Sequence, residues 1–132
     1  PFSKDDPICF SNIANAETGL GQWENALKHY TYAAKLRDNF VAPQLGRALV
    51  LYQLGAPEES IAYFNMLTKR YPLFADAQAA LAVMLAEKGD LVSAQDHWED
   101  AVDQDVRYKD IEWVNEIRRW PPKLVTALDL CL

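Results

Sequence analysis

Residues 54–67 read Leu-Gly-Ala-Pro-Glu-Glu-Ser-Ile-Ala-Tyr-Phe-Asn-Met-Leu, and the same skeleton stands 34 residues earlier and 34 residues later. Gly21, Gly55 and Gly89 align, as do Ala26, Ser60 and Ala94; Tyr30, Phe64 and Trp98; and Ala33, Leu67 and Ala101. Each column has a mechanical reason. The glycine ends a first helix where the backbone turns sharply, using its access to positive φ. The small residue that follows lets a second helix approach the first. One helical turn further, the aromatic fills the space between neighbouring units. The last column closes the contact with the next unit.

Working outward, the apolar spacing is helical throughout. Leu45, Ala48, Leu49 and Tyr52 recur at i, i+3, i+4 and i+7, as do Ala77, Leu81, Met84 and Leu85, and no segment alternates as a strand would. The spacing predicts helices over 8–19 and 23–37, 43–54 and 57–70, then 75–88 and 91–104. Pro43 and Pro57 fall in first turns, where a missing N–H costs nothing, and Asp90 reads as an N-cap. Pro72 stops the second helix of the middle unit, whereas the outer units carry Asp38 and Val106 at that place.

This period and these columns resemble the tetratricopeptide repeat. The expectation is an all-α solenoid of three helix-turn-helix units. A lead-in spans 1–6, the units span 7–40, 41–74 and 75–105, and a capping segment spans 106–132. The tail splits at Pro121-Pro122, and Asp110 can cap its first helix. Trp113, Ile117 and Trp120, at i, i+4 and i+7, are expected to share a face packed on the second helix of unit three, near Trp98 and Val102. Capping an array's last exposed face is the plain reading of such a tail.

Composition narrows the function. With 13 basic against 19 acidic residues the chain carries −6, which repels phosphate backbones, so nucleic acid is not expected as a partner. No run approaches the length that crosses a bilayer, and the first residues lack a basic start before an apolar core. The sequence begins at Pro1, which leaves room for an initiator, signal or transit segment upstream. Cys9 and Cys131 stand near opposite ends without CxxC spacing and read as unbridged thiols.

Catalysis is not expected. His29 and His97 occupy equivalent places two units apart and cannot share a metal. Ser11 and Ser60 have no His within a helical turn, and there is no Gly-rich phosphate loop. No cofactor and no metal ligand set is implied. The expected role is holding a protein partner.

In tetratricopeptide proteins the first helices line a concave groove that meets ligands. The resemblance transfers that role to Asn15, Leu45, Leu49, Tyr52, Gln53, Val83 and Glu87, with Tyr52 as anchor. Leu49 and Val83 have an equally good reading as ordinary packing residues. One sub-type clamps chaperone tails through Lys, Asn and Arg, but only Asn15 matches here, Ser11, Asp76 and Ala80 standing where the cations would be. A second candidate contact is the basic-aromatic cluster Arg118, Arg119, Trp120 and Lys123, suited to an acidic partner or else a solvated rim. The tail 106–132 is net +1, leaving −7 on the rest.

The run Arg107-Tyr108-Lys109-Asp110, Trp113-Val114 and Ile117-Arg118-Arg119-Trp120-Pro121-Pro122 resembles the C-terminal extension of a plastid and cyanobacterial tetratricopeptide group associated with thylakoids. Asn39-Phe40, Tyr71-Pro72 and Phe74-Ala75-Asp76 look similar as well. The resemblance implies a chloroplast setting, on the lumenal side ahead of the stromal. It also implies a role in assembling or stabilising a photosystem or other thylakoid complex, or as its peripheral subunit. The alternatives are a cytosolic adaptor for a peptide motif and a holder of unfolded segments.

Overall fold

The computed structural model describes residues 6–132; of the expected lead-in, residues 1–5 lie outside that range. Six helices form three antiparallel hairpins: α1 (Pro7–Gly19) with α2 (Trp23–Leu36), α3 (Val41–Gln53) with α4 (Pro57–Arg70), and α5 (Ala75–Lys88) with α6 (Leu91–Gln104). Each helix packs on the next along the chain, and no strand occurs among the described residues. The fold is an all-α solenoid of tetratricopeptide type.

Local chemistry sets the helix ends. Asp6 accepts the Ile8 N–H at 2.9 Å and Asp90 the Ser93 N–H at 3.3 Å, satisfying first-turn donors that have no partner inside the helix. Pro57 stands at the first position of α4. Gly21, Gly55 and Gly89 turn the three hairpins at φ +74°, +85° and +95°. Changing Gly55 to Val forces a β-branched residue into that region. The expected cost is about 1–3 kcal/mol, read as a lower denaturant midpoint with helix content retained. An unchanged midpoint would show that the turn relaxes.

The repeat columns form the core. Ala26, Ser60, Phe64, Leu67, Ala33 and Ala101 are completely buried. Ser60 is a polar residue in this apolar column because its hydroxyl donates to the Ala48 carbonyl at 2.6 Å, tying α4 to α3. The first unit joins the second through Tyr30, which lies in a cluster with Ala14, Ala26 and Val50. Its ring occupies the space beside Gly46, where an added Cβ would stand 2.5 Å from the phenol carbon. Close approach, not backbone freedom, explains glycine there.

After α6 the chain leaves the repeat path. A 3-10 turn (Val106–Lys109) leads to the short helix α7 (Ile111–Trp113), which continues as a π-helical turn over Val114–Arg118. Asp110 caps α7 by accepting from Glu112 and Trp113 N–H groups. Arg119 then ends the turn in the left-handed region, φ +55°, and Pro121-Pro122 starts α8 (Pro122–Cys131). Between the α5–α6 hairpin and the end of α8, a cleft of about 480 Å³ lined by Ala86, Leu91, Trp98, Leu128 and Leu132 remains open.

Candidate docking groove and the tail that fills it

α8 lies against α5 and α3, the first helices of units three and two. Leu124, Ala127 and Leu128 are buried in one cluster with Leu49, Val83 and Met84, while Tyr52 packs on its edge. The tail is therefore seated on the first helices of two units. The expectation that Trp113, Ile117 and Trp120 form one face on α6 near Trp98 and Val102 is corrected. The π turn winds more residues per turn than an α-helix and rotates the later side chains out of the assumed register. Ile117 is 65% exposed, whereas Val114 and Trp120 are buried.

A single carboxylate anchors this arrangement. Asp76, 3% exposed, sits in the first turn of α5, where the helix dipole favours negative charge. Its Oδ1 accepts from the Tyr108 hydroxyl at 2.5 Å, from Arg118 Nε at 3.1 Å and from Trp120 Nε1 at 3.2 Å. All three donors come from the tail. Tyr108 stacks edge-on against Trp113, centroids 5.0 Å apart, and lies beside Trp120. Burial, followed by the Asp76 charge, holds the Tyr108 phenol well above its ordinary range. Arg107 covers the Trp113 ring at 4.6 Å and forks onto Asp105.

The remaining contact is a cap supplied from another helix. α8 begins at proline and has no side-chain cap of its own, so Gln53 Oε1 on α3 accepts the Lys123 N–H at 2.9 Å.

These contacts divide the residues proposed from sequence. Leu49 and Val83 are buried packing residues. Tyr52 is half-buried beside Glu87, and burial, then the Glu87 charge, raises its phenol. Gln53 holds the tail. Glu87 is exposed, and Lys88, its neighbour, pairs with Glu58. Of the tail cluster, Trp120 is buried and Arg118 is ion-paired to Asp76, while Arg119 and Lys123 stay exposed. Sequence reasoning missed Tyr108, Gly46 and the anchoring role of Asp76. The two acidic and aromatic partners stand 32 residues apart, which no local pattern reports.

At the first unit the groove stays open. A cleft of about 350 Å³ runs between α1, α3 and the Arg119–Pro121 turn, lined by Asn15, Thr18, Tyr30, Leu45, Gly46 and Leu49 among others. The Tyr30 hydroxyl donates to Asn15 Oδ1. Burial pushes this phenol up to about 12, with Thr18 lowering it somewhat and the Glu17 charge raising it. A phenol raised in the folded state stabilises the fold fully below its unfolded value near pH 10, and that contribution is lost as pH rises through the folded one. The urea midpoint is therefore expected to fall between about pH 10 and 12, and less steeply in Tyr30→Phe. A midpoint flat across that window would contradict the burial of Tyr30 and Tyr108.

His29 Nδ1 lies 2.5 Å from Glu17 and His97 Nδ1 2.6 Å from Gln78, each paired within its own hairpin. Cys9 and Cys131 are unbridged. Among the described residues no group of three or more His, Cys, Asp or Glu is placed to hold a metal. No described helix is long and apolar enough to cross a membrane.

The geometry defines a class, a helical-repeat array with a groove partly occupied by its own tail. No family model matches the sequence, and no curated protein matches it. Among solved structures the chain is similar to MamA, a tetratricopeptide-like repeat protein. A structure titled "MamA RS-1 ArsTM double mutant" superposes with a TM-score of 0.71 at 19% identity, over 98% of this chain and 78% of that one. MamA 41-end from Desulfovibrio magneticus RS-1 gives 0.70 at 19% identity, over 97% and 74%. At this identity the likeness is one of fold.

Proposed function

We propose that the chain is a non-catalytic protein-binding scaffold of a thylakoid membrane complex, acting in assembly or stabilisation, or as a peripheral subunit of a photosystem. The observation that carries the binding role is the open cleft at the first unit. Its lining combines polar side chains with Leu45 and Leu49, the mixture by which repeat grooves hold peptides. The similarity to MamA supports a scaffold by fold alone. The thylakoid setting rests on the resemblance of the run from Arg107 to Pro122.

The test is fractionation of photosynthetic cells carrying the tagged protein. Co-migration with pigment-bearing complexes on native gels, and protection from added protease in sealed thylakoids, are expected for a lumenal subunit. Recovery only with soluble cytosolic proteins would replace this reading with the general adaptor.

A further inference from the structure

Three features of the open cleft converge on its ligand. First, the charges at its tail side do not cancel. Arg118 is neutralised by Asp76 at 3.1 Å, while Arg119, which also lines the cleft, forms no ion pair among the described residues. Second, Arg119 holds φ +55°, the only positive φ of a non-glycine residue among the described residues. Glycine or asparagine would make that corner at lower cost, so the strained place carries a cation instead of the cheapest residue. Third, the polar wall has a fixed polarity. Asn15 Oδ1 is taken by the Tyr30 hydroxyl, which leaves the amide nitrogen of Asn15 to donate.

The tail limits the stretch of groove that a ligand can use. α8 blocks continuation along units two and three. An extended segment fits the space that remains. A terminal carboxylate would need several converging cations, and Ser11, Asp76 and Ala80 stand at the clamp positions. One arginine and one amide lining the same cleft suit a side-chain carboxylate.

Building on the scaffold reading, we infer that this composite cleft docks an extended segment of a partner protein, with an Asp or Glu side chain of that segment set against Arg119 and the amide of Asn15. The tail thus closes one part of the groove and supplies the specificity of the other.

Random peptides of about twelve residues, displayed through their C-termini, test this by selection on the full chain. The expected enrichment is for an acidic residue at one fixed place among small or apolar neighbours. Arg119→Gly suits the left-handed backbone and should keep the melting temperature while weakening selected peptides on the order of tenfold. Arg119→Glu should select basic residues at the same place. The inference is overturned by binders without an acidic bias, by acidic binders unaffected in Arg119→Gly, by a requirement for a free C-terminus, or by the absence of binders. Binders lacking the acidic bias would sink this site and leave the scaffold reading standing. Failure to co-migrate with thylakoid complexes would do the reverse.

Discussion

Replacing Asp76 by Ala is expected to destabilise the fold by about 2–5 kcal/mol, a large share of what a domain of this size has in total. The cost comes from what is left behind. The Tyr108 hydroxyl and the Trp120 indole N–H both donate to Oδ1 of Asp76, and both side chains are buried. Each orphaned donor carries a penalty of about 1–3 kcal/mol. Arg118 adds little to that sum, because its side chain is 38% exposed and solvent screens it. Arg118→Ala leaves the buried Asp76 carboxylate without its counter-ion but still bonded by Tyr108 and Trp120, and should cost less than Asp76→Ala. Chemical denaturation of the two variants separates the effects. A double change of Asp76 to Ala with Tyr108 to Phe should lose less than the separate losses added together, because the second change removes a donor the first has orphaned. An Asp76→Ala loss no larger than that of Arg118→Ala would mean that the buried donors find other partners.

The sequence discloses the repeats because each repeat is a local device. A glycine at positive φ and a small residue act within a single hairpin, the aromatic reaches only the next unit, and α4, α5 and α6 begin and end where the spacing places them. Asp110 as a cap is legible for the same reason, since it bonds residues two and three positions on. The destination of the tail is not local. It depends on Asp76, which lies 42 residues from Arg118 and 44 from Trp120, and on a π turn that breaks the α-helical register used to group Ile117 with the two tryptophans. The expected groove residues fall on α1, α3 and α5, but the sequence pattern carries no sign that a later segment covers part of those helices. Gln53 shows the difficulty well. As a residue of a binding face and as the cap of α8 it has the same side chain and the same exposure pattern, and only the neighbouring Lys123 N–H distinguishes the two roles.

Whether a partner could displace α8 is decided by how that helix is held, and the double change of Leu124 and Leu128 to Ala gives the clearest reading. Both side chains are fully buried, in the same cluster as Phe64, Leu81 and Met84 from the repeats. Each truncation is expected to cost about 2–5 kcal/mol through lost transfer energy and the cavity left behind. A surface arm would confine that loss to itself, so amide exchange would quicken over α8 alone while α3 and α5 kept their protection. A core element behaves differently. Its loss uncovers apolar surface on α3 and α5, the midpoint of the whole array drops, and amides of those two helices exchange together with those of α8. The second outcome is expected, because the cluster joining tail and repeats is continuous and the Asp76 anchor stands at its edge. It would make α8 a permanent part of the groove and leave the first-unit cleft as the stretch of that groove open to a partner. Exchange confined to residues 120–131, with the remaining helices melting as before, would instead make the tail an occupant that a stronger ligand can replace.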